Sequence, residues 1–205
     1  MKKHHNPVWL WEVLDSALQV FNDSADKKLL LDEEASDGER YGSVGERAVA
    51  HRTAVHLERV LQYHGYPNGD TPIAIDCEYN RHRGAVKAHF IKEDLKRRVE
   101  AAQRKVHDDP KREGWYYFSV FPDIIVHERG VDGNNLMTVE MKRASNHVQV
   151  ERDYDLLKLE LFTKQDYEHG YSYRFGALVV ALDDGPPENR KLLVAARFVN
   201  GERID

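Results

Sequence analysis

The sequence has a single cysteine, Cys77, and it lacks any long uninterrupted hydrophobic run. One cysteine cannot form a disulfide within the chain, which excludes a disulfide-stapled scaffold and favours a reducing compartment. No apolar run approaches the ~18 residues of a transmembrane helix, and Glu12 and Asp15 interrupt the hydrophobic stretch near the N-terminus. We therefore expect a cytoplasmic protein with no membrane span and no secretory signal.

Nucleotide-binding and zinc-binding signatures are also missing. The chain contains neither G-x-G-x-x-G nor G-x-x-x-x-G-K-[ST], so the sequence does not support a binding loop for a dinucleotide or ATP. Its 11 histidines include no H-E-x-x-H, and His51 and His56 are five residues apart, which places them off a common helix face.

With 205 residues, 41% of them hydrophobic and 32% charged, the chain can bury one sizeable core and is not disordered.

The charge of the chain is distributed unevenly. Its formal net charge is −5, but between Arg81 and Arg112 eleven Lys or Arg accompany five Asp or Glu, a net of +6 that leaves −11 for the remainder. The overall charge argues against coating of nucleic acid by bulk attraction. The basic segment has two interpretations: a solvated amphipathic helix, or a strip facing phosphates with Arg97 and Arg98 as candidate substrate contacts.

Hydrophobic spacing predicts an α/β protein with one main domain. Helices are expected over Pro7–Phe21, Gly45–His64, Ala85–His107 and Arg152–Gln165. Strands are expected over Ile73–Asn80, Trp115–Glu128, Leu136–Arg143, Arg174–Leu182 and Lys191–Val199. Residues 1–44 are expected to form an N-terminal helical arm with an acidic connection, and residues 45–205 an α/β domain with a basic helical insertion over residues 85–112.

Charged residues on two predicted strands form the strongest chemical signal. Asp123 follows Pro122 in the first strand, whereas Glu140 and Lys142 lie two apart on the next and so leave the same face of the sheet. If Asp123 pairs near Glu140 in an antiparallel hairpin, two carboxylates and an ammonium converge. Hard divalent cations prefer such oxygen ligands, so the pattern predicts Mg²⁺ or Mn²⁺ binding and phosphodiester hydrolysis.

Three further charged residues each allow two interpretations. Glu46 begins the core-facing side of the second predicted helix, where it either completes the capping box Ser43-Val44-Gly45-Glu46 or reaches a metal beside the sheet. Asp155 and Lys158 lie one helical turn apart. They either form a surface ion pair or place Lys158 toward the scissile phosphate.

The spelling Pro122-Asp123 followed by Glu140-Met141-Lys142 resembles the PD-(D/E)XK nuclease superfamily, which contains many restriction endonucleases and Holliday junction resolvases. The segments GERAVAHRTAVHLE, DCEYNR, FPDIIVHERG, NLMTVEMKR and DYDLLKL are similar to an uncharacterised bacterial branch of it. The resemblance implies a restriction-endonuclease-like core, with a central mixed β-sheet flanked by helices in the order helix, three-stranded meander, helix and strand. It assigns Asp123, Glu140, Glu46 and the Met141 carbonyl to the metal and Lys142 to catalysis.

These observations predict a metal-dependent nuclease that hydrolyses phosphodiester bonds, with DNA as the expected substrate. The cofactor is expected to be Mg²⁺ or Mn²⁺. A homodimer is expected if the protein cuts both strands, because that needs two sites. The alternative is a catalytically inactive module of the same fold that binds nucleic acid or helps to assemble a defence or repair complex.

Overall fold

A mixed β-sheet with helices packed on both faces forms the centre of the protein. The computed structural model of the chain describes residues 6–31, 45–66, 73–78, 81–82, 85–86, 88–129, 134–146, 148–165, 171–183 and 186–204. The helices in these ranges are α1 (Pro7–Asp23), α2 (Ala25–Leu31), α3 (Glu46–Tyr63), α4 (Glu93–Ala101) and α5 (Gln149–Thr163). The strands are β1 (Ile73–Cys77), β2 (Arg81–His82), β3 (Ala85–Val86), β4 (Ala88–Ile91), β5 (His107–Asp108), β6 (Tyr116–Ser119), β7 (Ile124–Glu128), β8 (Asn135–Arg143), β9 (Phe175–Leu182), β10 (Lys191–Val199) and β11 (Glu202–Arg203).

The main sheet has the strand order β1-β7-β8-β9-β10-β11 among the described strands. Its neighbouring strands pair antiparallel except β8 and β9, which run parallel. A parallel pair needs a crossover connection, and α5 lies in the chain between these two strands. The predicted α/β class and mixed sheet are therefore confirmed. None of the helices in the described ranges has the length and apolar character needed to cross a membrane.

The first helix packs into the core rather than only along its surface. Asn6 caps α1 by accepting a hydrogen bond from the Trp9 backbone N–H at 2.8 Å, and Pro7 occupies the first turn. The buried side of α1 shares one hydrophobic cluster with α3 and the sheet. The Asn22 side chain also exchanges two hydrogen bonds with the Leu192 backbone on β10. The predicted boundary near residue 44 lies outside the described residues and stays a prediction.

The other face of the sheet is covered by α5. Leu159 of this helix packs in one cluster with Leu178 of β9 and Phe198 of β10. A three-stranded sheet with the order β4-β6-β5 and α4 pack against the outer side of α5. Val139 and Met141 of β8 are buried in the cluster of α1 and α3, so Glu140 and Lys142 leave β8 on the α5 side.

The predicted strand Trp115–Glu128 is wrong as a single element. It is divided into β6, which pairs with β4, and β7, which pairs with β1 and β8. Pro122 lies in the break, where it has no N–H to offer to a ladder. Asp123 therefore precedes β7 instead of lying inside a strand.

The predicted helix over Ala85–His107 is wrong outside α4. The flanking parts include β3, β4 and β5, so the basic insertion over residues 85–112 is only partly helical. Charged residues with good helix propensity dominate the segment, so its sequence favours a helix. The alternation of buried and partly exposed residues in β4, where His89 and Ile91 are buried, is too short to outweigh that signal. By contrast, α1, α3, β8 and β10 lie within two residues of their predicted bounds. The short α2 lies in the predicted acidic connection.

Gly176 lets α5 approach β9 closely, which yields a test of the packing. A Cβ at this position would lie 2.9 Å from Thr163 Cγ2 and 3.2 Å from Leu159 Cδ2. Thr163 cannot rotate freely, because its hydroxyl donates to the Leu159 carbonyl at 2.8 Å and accepts from the Gly201 N–H at 3.1 Å. We expect Gly176→Ala to lower the free energy of unfolding by about 1–3 kcal/mol in urea denaturation.

Gly45 provides the matched control. A Cβ there meets nothing within 4 Å, and serine is a favourable residue at the helix N-cap position that Gly45 occupies. We expect Gly45→Ser to change the free energy of unfolding by less than about 0.5 kcal/mol. Equal losses in the two variants would contradict the close approach of α5 to the sheet.

Candidate active site

The charged end of β8 is organised by the register of the β7–β8 hairpin. Ile124 pairs with Val139, so the next residues outward, Asp123 and Glu140, are cross-strand neighbours on one face. Asp123 Oδ2 accepts a hydrogen bond of 2.7 Å from the Met141 backbone N–H. The predicted convergence of Asp123 with Glu140 and Lys142 is therefore present in the register of these strands.

Glu140 is buried in an ion pair with α5. Its side chain has no solvent exposure, and its Oε2 lies 2.6 Å from Lys158 Nζ. The same Nζ lies 2.9 Å from Asp155 Oδ1. Asp155 and Lys158 are 2% and 6% exposed, so their ion pair exists but its predicted surface location is wrong. Lys158 instead points from α5 toward the sheet.

Lys142 links this pair to the N-terminus of α3. Its Nζ lies 3.1 Å from Asp155 Oδ2, which is an ion pair without hydrogen-bond geometry. The same Nζ lies 3.4 Å from Glu46 Oε1. Both Lys142 and Glu46 are partly exposed. The described residues therefore form a continuous chain of opposite charges, which we call the charge cluster, in the order Glu46, Lys142, Asp155, Lys158 and Glu140, with Asp123 beside Glu140.

Glu46 does not act as the partner in a capping box. A capping box needs Glu46 as the third helical residue after a Ser43 N-cap. In the structure Gly45 is the N-cap, and Glu46 is the first residue of α3. The side chain of Glu46 instead contacts Lys142, which corrects the capping-box interpretation.

Burial and like charges raise the pKa values of the acids in the cluster. Burial raises the pKa of Glu140 well above its usual value; the Lys158 charge opposes this, and Asp123 adds to it. The pKa of Asp123 is raised chiefly by burial, against the opposing charge of Lys158. Burial also raises the pKa of Glu46. A raised pKa means that the ionised form of these acids is disfavoured, so additional positive charge nearby would stabilise it.

Both lysines of the cluster remain protonated. Burial by itself would lower the pKa of Lys142, but the charges of Asp155 and Glu46 raise it overall. The pKa of Lys158 is raised in the same way, mainly by Glu140 and Asp155 against the effect of burial. Neither amine is therefore suited to act as a general base near neutral pH.

Cys77 lies next to the cluster on β1 and is not activated. Burial, with the charge of Asp76 and then of Asp123, raises the pKa of its thiol to about 11. A thiol with a raised pKa stays protonated near neutral pH, so Cys77 is not suited to act as a nucleophile.

The donor set of the charge cluster fits a hard divalent cation. Four carboxylates and two ammonium groups leave a formal charge of −2, and carboxylate oxygens are the ligands that Mg²⁺ and Mn²⁺ prefer. Glu140 Oε1 is buried and has no hydrogen-bond partner among the described residues. Within the same ranges, however, no group of three or more His, Cys, Asp or Glu is spaced to hold a metal ion.

A cavity of about 380 Å³ opens beside Lys142 on the α5 side of the sheet. Leu178, Val180 and Leu193 provide its apolar wall. Gln149 and Arg152, from the first turns of α5, also line it. Lys142, whose side chain is 23% exposed, therefore borders an open space large enough for part of a substrate.

The two arginines predicted to contact substrate have different environments on α4. The side chain of Arg97 is 78% exposed, with its Nε 3.7 Å from Glu93. Arg98 makes a bidentate pair with Glu160 on α5, at 3.0 and 2.7 Å. Neither belongs to the charge cluster. Arg97 is accessible to a substrate, whereas Arg98 joins α4 to α5.

The sequence left Asp155 and Lys158 open between a surface ion pair and a Lys158 that points toward the scissile phosphate, and it did not predict that both are buried in the charge cluster. Each lies four residues before a fully buried residue of α5, Leu159 or Phe162 respectively. Because residues i and i+4 share a helix face, this spacing was the available signal that both charges point inward.

No family model, curated protein or solved structure matches this chain. A functional assignment therefore depends on the geometry of the charge cluster itself.

Removal of the Lys158 charge tests the cluster. Lys158→Met leaves the Glu140 carboxylate buried without its cation, and we expect a loss of about 3 kcal/mol of unfolding free energy at neutral pH. The loss should shrink as the pH falls, because burial raises the pKa of Glu140 and a protonated side chain needs no counter-charge. Urea denaturation at several pH values provides the measurement.

The double variant Glu140→Gln/Lys158→Met is the control for this prediction. It removes both charges at once, so we expect it to be more stable than the sum of the two single losses implies. Additive losses would show that Lys158 and Glu140 are not coupled.

Proposed function

We propose that this protein is a divalent-metal-dependent nuclease of the PD-(D/E)XK superfamily that hydrolyses phosphodiester bonds, most naturally in DNA. The observation that carries the proposal is the meeting of Glu46, Asp123, Glu140 and Lys142 in one charge cluster. These residues come from α3, the start of β7 and β8, and the resemblance assigns each of them to the site.

The topology around the cluster supports the same proposal. The elements α3, β1, β7, β8, α5 and β9 follow one another in the order helix, three-stranded antiparallel meander, helix and strand, apart from the inserted segment between β1 and β7. This is the order that a restriction-endonuclease-like core requires. The charged residues lie where β7 begins and β8 approaches its end.

Asp123, Glu140 and Glu46 are the residues that would hold Mg²⁺ or Mn²⁺. Oxygen donors, a formal charge of −2 and the unpaired Glu140 Oε1 support this assignment. The N–H and C=O of one residue leave a strand on the same edge, so the Met141 carbonyl is directed toward the Asp123 side, as its N–H is. A bound divalent cation would polarise the phosphoryl oxygen and acidify a water molecule.

Lys142 is the proposed catalytic lysine. Its protonated amine is partly exposed beside an open cavity and is held by Asp155 and Glu46. In this position it can orient the attacking water or offset the negative charge that develops on the phosphate. Lys158 is a positioning residue, because its amine is committed to Glu140 and Asp155.

The basic segment supports a nucleic-acid substrate. Its net charge of +6 contrasts with −11 elsewhere, so it supplies the local attraction to phosphates that the whole chain lacks. Cutting both strands of a duplex would require two such sites. We therefore include a homodimer in the proposal.

A second candidate is a catalytically inactive module of the same fold. The buried Lys158 amine favours it, because a cation already sits 2.6 Å from Glu140 and could replace a metal. In calorimetric titration, an active nuclease should bind Mn²⁺ at up to millimolar concentration. Binding of DNA without detectable metal binding would favour the inactive module.

Cleavage assays test the first candidate. Linear, circular and branched DNA, and RNA, are incubated with the protein and Mg²⁺ or Mn²⁺, and we expect cleavage that EDTA abolishes. Asp123→Asn and Lys142→Ala should each lower the rate by about 100-fold or more, because they remove a ligand or the charge that faces the phosphate.

The exposed Lys28 on α2 supplies the matched control. Lys28→Ala removes one lysine outside the charge cluster and should cleave at the wild-type rate. Circular dichroism and thermal melting confirm that each variant is folded. Wild-type rates in folded Lys142→Ala would contradict the proposed mechanism.

The different environments of Arg97 and Arg98 predict different effects on DNA binding. Arg97→Ala should reduce the slope of log affinity against log salt by about 1, because an exposed phosphate contact is lost. Arg98→Ala should leave that slope nearly unchanged and lower the unfolding free energy by about 1 kcal/mol, because it breaks the pair with Glu160. Fluorescence anisotropy at several salt concentrations measures the slopes, and equal slopes would refute the distinction.

A further inference from the structure

The outer face of the three-stranded sheet carries a group of partly exposed aromatic rings. We call Phe90, His107, Trp115 and Tyr117 the aromatic platform. Phe90 and His107 are the cross-strand partners of Tyr117 on either side, so all three side chains leave the sheet on the same face. Trp115 lies directly before β6.

The opposite face of this sheet is the one that enters the core. His89 and Phe118, another cross-strand pair, are 0% and 1% exposed and pack against α5. The hydrophobic core therefore covers only this face of the three-stranded sheet. Four rings on the other face have no comparable burial, although each could have been a polar residue, as is usual for the solvent side of a strand.

The rings of the platform are arranged as a surface. The His107 and Tyr117 rings lie 5.2 Å apart with an interplanar angle of 20°. The Phe90 ring lies 6.1 Å from Tyr117 on the other side. His107 and Tyr117 are therefore stacked on each other, Phe90 is tilted beside them, and all three rings keep partly exposed surface on which a planar group can pack.

Two cations border the same surface. Arg112 lies over both Phe90 and Trp115, with Cζ 4.5 and 4.4 Å from the ring centroids. Lys92 Nζ lies 4.9 Å from the centroid of Trp115 and has no carboxylate partner among the described residues. Asp109 pairs with Arg112 at 2.7 Å and fixes its guanidinium in place.

We propose that the aromatic platform binds single-stranded nucleic acid, with bases stacked on Tyr117 and His107 and phosphates held by Lys92 and Arg112. Aromatic rings interleaved with cations form such sites, since every base has a π-face and every linkage a charge. The charge of +6 in the surrounding segment complements this ligand. A protein partner fits less well, because lysine is depleted at protein interfaces.

The platform is connected directly to the charge cluster. Asp123 is six positions after Tyr117, so their Cα atoms lie at most about 20 Å apart, which a few nucleotides of extended strand can span. Phe121, 49% exposed, lies between them and provides a further ring on the way to the site. This part of the inference rests on the proposed function: the substrate would enter the site as a single strand, as an end, a flap or a gap.

Binding is measured without metal, so that the result does not depend on cleavage. Fluorescein-labelled oligo(dT) of about 15 nucleotides and a duplex of the same length are titrated in EDTA and followed by anisotropy. We expect tighter binding of the single strand. Tyr117→Leu keeps apolar bulk but removes the π-face and should weaken it by about 5- to 100-fold, whereas Tyr117→Phe should retain wild-type affinity.

Tyr63 is the matched control, because it is 88% exposed on α3, which does not belong to the platform. Tyr63→Leu should bind like the wild type. The inference is overturned if the duplex binds as tightly as the single strand, if Tyr117→Leu binds like Tyr63→Leu, or if neither nucleic acid binds. Tyr117-dependent binding without cleavage under any metal would sustain the platform and refute the nuclease; cleavage without Tyr117-dependent binding would do the reverse.

Discussion

The buried carboxylate of Glu140 constrains much of the structure around it. An ionised group with no solvent exposure in a sheet must have a counter-charge, and only Lys158 lies within hydrogen-bond distance among the described residues. This contact fixes the rotation of α5, and the close approach at Gly176 sets how near the helix can come to the sheet. Asp155, one turn earlier on α5, then reaches Lys142 and extends the charges to α3.

Stability alone does not account for such a cluster. A buried ion pair rarely exceeds a well-packed apolar pair in its contribution to folding, because two charges must be removed from water. Here acids outnumber lysines, and burial raises the pKa values of Glu140, Asp123 and Glu46. Acids with perturbed pKa values are concentrated at functional sites, although ion-pair networks of purely structural role also perturb them. The formal charge of −2 that remains on these oxygen donors is the observation on which the proposed cation site rests.

The part of the site predicted from sequence is the part set by local periodicity. Alternation along one strand places Glu140 and Lys142 on one face, and helical spacing turns Glu46 toward the sheet. The burial of Lys158 and Asp155 beside Glu140 was not predicted, because it depends on which face of α5 meets the sheet, a tertiary fact. The break at Pro122 was missed for a similar reason: the apolar pattern continues through it, and only partner strands reveal two sheets.

The break at Pro122 also determines how the aromatic platform and the charge cluster are connected along the chain. Because β6 and β7 belong to different sheets, Tyr117 can face solvent on one sheet while Asp123 lies beside the charged end of another. A single continuous strand would have placed Tyr117 and Asp123, both odd-numbered, on the same face of one sheet. The short connection with the exposed Phe121 instead joins the proposed base-binding surface to the proposed cleavage site. A strand held by its bases at the platform would therefore present its backbone to the lysine and carboxylates a few nucleotides away.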